Sequence, residues 1–102
     1  VEWSEVSEAM DGASTIVNTT SLGMDGQPEL RVHFYAAAPD ALVTDIVYAP
    51  LITPFLEKAQ ARGLDTVDGL GMLLHQAVPG FESWFGKKPE VDDELRQAVL
   101  NA

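Results

Sequence analysis

The side chains in this sequence suited to orienting a small ligand are a tyrosine, a glutamine and a run of hydroxyls, none of them an evident nucleophile or general base. Tyr48 closes an apolar run just before Ala49-Pro50, so its ring can pack while its hydroxyl faces a cleft; simple packing at a sheet edge suits it equally. Asn18-Thr19-Thr20-Ser21 follows another β-branched run and leads into Leu22-Gly23-Met24. A polar loop at the C-terminal end of a parallel strand is where open α/β sheets bind ligands. The same residue types also form turns in which Asn, Thr and Ser bond their own backbone. Gly69, Met72 and Gln76 recur at helical spacing, with Gly80 and Ser83 further along the same stripe. A solvated stripe would ordinarily carry Lys and Glu, so this one can face a ligand, its glycines admitting something close to the backbone at an N–H-rich helix start. A tight turn with close helix packing accounts for the glycines as well.

The missing chemistry narrows the class. The two histidines, His33 and His75, have no carboxylate at metal-site spacing, and His33 reads as an exposed loop residue. Without cysteine there is no thiolate nucleophile, thiolate metal site or disulfide framework, which suits a cytoplasmic protein. The sequence has no GxGxxG dinucleotide turn, no GxSxG elbow and no P-loop. Lys58, Lys87 and Lys88 lie where solvated lysines belong. A formal charge of −10, from six basic and sixteen acidic residues, argues against nucleic acid and anionic membrane as partners. No apolar run approaches the roughly twenty residues of a membrane span.

The elements that must position these residues are legible along the chain, whose 102 residues suffice for one domain with a core. Trp3 to Met10 reads as a short amphipathic helix ended by Asp11-Gly12. Thr15 to Asn18 reads as a buried parallel strand, and Ala41 to Tyr48 as a second, interrupted by Asp45. Between them, Val32, Phe34 and Tyr35 anchor either a short strand or an irregular loop. Thr53-Pro54 has the form of a helix start, with Phe55, Leu56 and Ala59 facing inward and Gly63 closing the helix. Leu64 to Val67 is a third strand, running into Asp68-Gly69. From there Leu70, Leu73, Leu74, Ala77, Val78, Phe81, Trp84 and Phe85 mark a helix whose apolar face is expected to be core. Pro79 predicts a kink between Gln76 and Gly80, or two abutting helices. Val91 to Leu100 forms a terminal amphipathic helix, Asp92 or Asp93 near its start. The alternation indicates an α/β layered fold with a helical tail, undivided by any linker.

Three stretches, Asn18-Thr19-Thr20-Ser21-Leu22-Gly23-Met24, Asp45-Ile46-Val47-Tyr48-Ala49-Pro50 with Thr53-Pro54-Phe55-Leu56, and Asp68-Gly69-Leu70-Gly71-Met72-Leu73-Leu74-His75-Gln76, occur in an order and spacing that closely resemble the C-terminal part of shikimate dehydrogenase. Phe81, Trp84 and Gly86 continue the match. The resemblance implies an NADP-dependent oxidoreductase interconverting shikimate and 3-dehydroshikimate in aromatic amino-acid biosynthesis. It further implies that residues 1–102 are the later half of a Rossmann-like cofactor domain plus the last helices. The substrate domain, its catalytic lysine and aspartate, and the glycine-rich phosphate loop would then lie upstream of Val1. By the same resemblance Tyr48 and Gln76 hydrogen-bond shikimate, Gly69, Met72 and Ile46 line the nicotinamide pocket, and Thr20 and Ser21 lie in the loop beside the cofactor. Thr19 departs from the family's usual alanine, and residues 29–38 show no family pattern.

This chain is expected to orient rather than react, to be inactive alone, and to self-associate through surfaces left open by truncation. The competing expectations are a stand-alone, non-catalytic α/β binding module and a quinate or shikimate dehydrogenase using NAD.

Overall fold

A computed structural model describes residues 1–101. Its elements follow the predicted order. A 3-10 turn over Trp3–Glu5 runs into α1 (Val6–Ala9), followed by β1 (Thr15–Asn18), β2 (Leu42–Asp45), α2 (Pro54–Ala61), β3 (Asp65–Val67), α3 (Gly69–Phe85) and α4 (Asp93–Leu100). The strands form one parallel sheet in the order β1-β2-β3. By contacts the chain divides into two compact units, Val1–Gly69 and a second that begins at Leu70, so the division falls at the first turn of α3 without a linker.

In the first unit the register pairs Thr15 with Leu42 and Leu42 with Asp65, and ends with Asn18 beside Asp45. Side chains alternate along each strand, so Ile16, Val43 and Thr66 share one face with Asn18 and Asp45. That face meets the core: Val43 is fully buried, and Phe55, Leu56 and Ala59 of α2 pack with it and with Leu64. The opposite face carries Val17, Leu42 and Val67, all at least one-third exposed. β1 and β2 are therefore half-exposed rather than buried strands. Their continuous apolarity suits a parallel sheet covered on both sides, but within these residues only one side is covered.

α2 forms as its sequence dictates. Thr53 is extended (φ −75°, ψ 160°), its side chain accepts from the Leu56 amide, and Pro54 occupies the first turn, where its missing N–H is no loss. Gly63 follows with φ +78°, the left-handed conformation that ends a helix cheaply only for glycine. Residues 29–38 adopt no strand, yet Leu30, Val32 and Phe34 are buried at every second position. The Phe34 and Phe55 rings lie 5.2 Å apart, tilted by 52°. This irregular segment thus closes the core over α2. At its start Lys58 bonds Glu29 at 2.9 Å, and that hydrogen bond, with the lysine charge, holds the Glu29 carboxyl below its ordinary range.

The second unit contains the rest of α3 and α4. α3 is continuous through Pro79, which interrupts one backbone bond without splitting the helix in two. Phe81 and Phe85 stack one turn apart, centroids 4.7 Å apart. Leu70 is fully buried, but Phe81, Phe85 and Trp84 are 43%, 65% and 80% exposed, so the expected core face holds only at its N-terminal end. Helical period identifies residues that share a face; it does not supply what covers them. Asp92 caps α4 by accepting the Leu95 amide at 2.9 Å.

Gly69 is the tightest point of the first unit. A methyl built on its α-carbon would lie 2.5, 2.6 and 2.7 Å from the carbonyl oxygens of Val47, Ile46 and Asp45. The backbone that approaches this glycine is the chain's own. Gly69→Ala is expected to lower unfolding free energy by about 3 kcal/mol, because three backbone oxygens must retreat together. Urea denaturation of the purified chain checks this; a loss within about 0.5 kcal/mol would show that the contact yields easily.

Candidate functional site

The end of β2 sets up the site. Asp45 lies at a parallel strand's C-terminal end with no exposed surface, and a buried carboxyl must be given donors. Three reach it. Oδ1 accepts from Asn18 Nδ2 at 3.1 Å and from the Val47 amide at 2.9 Å, while Oδ2 accepts from Thr53 Oγ1 at 2.7 Å. Thr53 Oγ1 in turn accepts the Leu56 amide at 3.3 Å, so the same hydroxyl caps α2 and binds the strand end.

Asn18, level with Asp45 on β1, extends the network into the first polar loop. Its Nδ2 also donates to the Leu22 carbonyl at 3.1 Å, and its Oδ1 accepts from the Thr20 amide at 3.0 Å and the Thr20 hydroxyl at 2.7 Å. Thr20 Oγ1 then accepts the Leu22 amide at 3.1 Å. These are the self-bonded turns that Asn and Thr favour. Among the described residues no buried side-chain nitrogen or oxygen lacks a partner. The loop from β1 and the loop from β2 are also joined directly, by Asp25 N–H to the Ala49 carbonyl at 2.7 Å.

Between these two loops lies a cavity of about 300 Å³. Thr19, Thr20, Ser21 and Met24 line it from the first loop, and Ile46, Val47, Tyr48 and Ala49 from the second. Four of the residues singled out from the sequence, Thr20, Ser21, Ile46 and Tyr48, therefore come together in one place. They differ in availability. The Thr20 hydroxyl is engaged within the loop, whereas Ser21 is exposed and Tyr48 is 44% exposed. Gly69 lies behind this wall, against the carbonyls of Ile46 and Val47. Met72 and Gln76 belong to the second unit, four residues apart on one face of α3, and both are exposed.

The cavity's walls offer hydroxyls and apolar surface, with no acid, base or cation among them. Such a lining can hold a flat, mostly uncharged ring and hydrogen-bond its edges. Among the described residues no cluster of His, Asp and Glu could hold a metal ion, and no helix is long and apolar enough to cross a membrane. His33 is exposed, its backbone N–H bonded to Ser7 Oγ at 2.9 Å. Sequence reasoning placed Asp45, Val47 and Ala49 in a motif and Thr19 and Met24 in a candidate ligand loop, but read Asp45 itself as an interruption and gave none of the five a role of its own. The available signal was an acid ending one apolar strand while an asparagine ends its neighbour, since aligned parallel strands bring such ends together.

Residues 69–100 match the family model described as the Shikimate 5'-dehydrogenase C-terminal domain. Along 97% of its length the chain is 64% identical to the NADP(+) shikimate dehydrogenase of Paracoccus denitrificans, covering 35% of that protein. Among solved structures, quinate dehydrogenase from Corynebacterium glutamicum in complex with NAD superposes over the whole chain with TM-score 0.85 and 32% identity, the match covering 36% of that protein. Shikimate 5-dehydrogenase from Thermus thermophilus, in complex with NADP(H) and shikimate, superposes over 88% of the chain with TM-score 0.71 and 31% identity, covering 33% of that protein. The chain thus spans about a third of the length of the relatives it matches, and the expected resemblance to their C-terminal part is borne out. So is the α/β class: the sheet is part of a Rossmann-like parallel array.

The two loop hydroxyls should respond differently to removal. Thr20→Val takes away a donor to Asn18 and an acceptor for Leu22, and is expected to cost about 1–2 kcal/mol. Ser21→Ala is expected to stay within about 0.5 kcal/mol of the parent. Chemical denaturation of both variants reads the difference; equal losses would mean that the turn does not depend on Thr20.

Proposed function

We propose that residues 1–102 are the C-terminal third of an NADP-dependent shikimate dehydrogenase, contributing the nicotinamide-side wall of its active site. The observation that carries this is the match along 97% of the chain, at 64% identity, to about a third of an NADP(+) shikimate dehydrogenase, with Thr20, Ser21, Ile46 and Tyr48 meeting at one cavity. The fit is chemical as well as positional. A cavity of about 300 Å³ with apolar walls and an exposed Ser21 suits the edge and face of a nicotinamide ring. When bound, NADP(H) supplies or accepts the hydride.

This chain's residues would bind and orient. Thr20 keeps the first loop folded while Ser21 presents a hydroxyl toward the cofactor, and Ile46 forms an apolar wall that excludes water. Gly69 lets α3 start against that wall, and Met72 would touch the nicotinamide. Tyr48 and Gln76 donate hydrogen bonds to shikimate. Holding two carbons in reactive contact can contribute roughly 7 kcal/mol or more of barrier reduction, so an orienting role is a substantial one. Proton transfer from the substrate hydroxyl falls to the lysine and aspartate of the substrate domain, which this reading places, with the phosphate loop, in the preceding part of the protein. The same reading carries aromatic amino-acid biosynthesis and the cytoplasm with it. It also has the 102-residue chain self-associate alone through the face bearing Val17, Leu42 and Val67.

A second reading, quinate as substrate with NAD as cofactor, draws on the superposition of the whole chain on about a third of quinate dehydrogenase in complex with NAD. A graft tests whether this chain serves such an active site. Residues 1–102 are grafted in place of the matching third of the Paracoccus denitrificans enzyme, and cofactor reduction is followed with each substrate and cofactor. Shikimate-dependent NADP+ reduction is the expected result. Tyr48→Phe and Gln76→Ala in the graft are each expected to raise KM for shikimate roughly three- to tenfold, with kcat changed less than about twofold. A folded but silent graft would overturn the assignment. The chain alone is expected to give no shikimate-dependent NADPH.

A further inference from the structure

The cavity's two walls come from loops 27 residues apart at the level of Asn18 and Asp45, and one buried group touches both. Asp45 lines no part of the cavity, yet it is bonded to Asn18, which anchors the first wall, and to the Val47 amide, which belongs to the second. Its other oxygen is held by Thr53, the cap of α2, so the carboxyl is fixed to the rigid part of the unit. We propose that Asp45 is a positioning residue for this site: by accepting from Asn18, Val47 and Thr53 at once, it sets the separation of the Thr19–Ser21 and Ile46–Tyr48 walls.

The chemistry of the group supports this. A carboxylate accepts only, so it can take three donors from three directions without presenting one of its own. A hydroxyl or amide at the same place must point a hydrogen somewhere. Asp45→Asn keeps the shape but turns one acceptor into a donor: an NH2 at the Oδ1 position leaves Asn18 and the Val47 amide without an acceptor, and one at the Oδ2 position leaves the Thr53 hydroxyl hydrogen without one. Thr53 provides an independent probe. Among the described residues its hydroxyl bonds Asp45 and the Leu56 amide, and valine keeps the bulk that lies near Gly23, so Thr53→Val chiefly removes the bond to Asp45 and the cap of α2. Thr53→Ser keeps the hydroxyl and serves as the rescue.

The inference deepens the reading of the cavity as cofactor-facing and rests on that reading only for the binding measurement. Amide hydrogen exchange on the 102-residue chain is the deciding experiment, with Asp45→Asn, Thr53→Val and Thr53→Ser compared at matched native conditions. The expected result is that Asp45→Asn and Thr53→Val each speed exchange at Thr20, Leu22 and Val47 by about tenfold more than at Val43 within β2, and that Thr53→Ser does not. A merely structural role would speed all four amides together, following global stability, and that outcome overturns the proposal. So does a Thr53→Val variant whose faster exchange is confined to the first turn of α2. Should Asp45→Asn fail to fold, Thr53→Val and its serine rescue decide alone.

Titration of the same proteins with nicotinamide mononucleotide, read by amide chemical shifts, adds the binding arm. With coupled walls, the parent shows shifts at Ser21 and Tyr48, and Asp45→Asn binds about tenfold more weakly. Parent and variant binding alike would overturn the positioning role. A parent that shows no shift would count against the cofactor reading, while the exchange result still decides the coupling.

Discussion

A carboxyl group with no access to water, at the end of the central strand, is the constraint from which the first unit follows. Burying Asp45 without donors would cost several kcal/mol, so the chain around it is arranged to supply them. Asn18 must end β1 level with Asp45, Val47 must turn its amide back, and Thr53 must sit where its hydroxyl reaches the carboxyl as well as the Leu56 amide. Each requirement fixes a backbone segment. The register of β1 on β2, the exit of β2 and the start of α2 are thus settled by one side chain, and a one-residue slip of β1 would turn Asn18 to the exposed face.

Gly69 adds a second constraint from the other side. Its missing side chain lets the first residue of α3 rest on the carbonyls of residues 45–47, so the loop that Asp45 holds through the Val47 amide is pressed from behind as well. Polar satisfaction and steric closeness act here on the same three residues. A loop pinned in both ways has little freedom, which is unusual for a surface connection and is the property a ligand wall requires.

Local chemistry made much of the fold legible. Thr53-Pro54 and Gly63 bracket α2 because capping and left-handed termination depend on neighbours in sequence, and the β-branched runs marked β1 and β2 for the same reason. What depended on distant partners was not legible. Asp45 looked like a break in a strand because its meaning lies in Asn18, 27 residues away. Leu30, Val32 and Phe34 bury alternate side chains without strand pairing, since it is the α2 ring of Phe55 that draws them inward. The face of α3 was found correctly as a stripe but is core only at its N-terminal end, because periodicity carries no information about cover. For the site, spacing alone left Tyr48 and the Thr20-Ser21 loop undecided; the ordered set of motifs singled them out, and the fold then brought them to one cavity.

The charged group of this site stands behind the wall, and the wall itself is neutral. This separation has a physical logic. A carboxylate at the cavity surface would need water or a counter-cation, and would compete for any proton moving nearby. Placed one layer back with no exposed surface and three donors on it, it does not meet a ligand and acts through the positions of Asn18, the Val47 amide and Thr53. For a wall whose proposed work is to hold a ring against a substrate carbon, displacement matters more than reactivity, since an error of about 1 Å can forfeit two orders of magnitude in rate. A buried acceptor holding three donors resists such a displacement, because moving Asn18 or the Val47 amide away from it lengthens a bond at a site with no exposed surface.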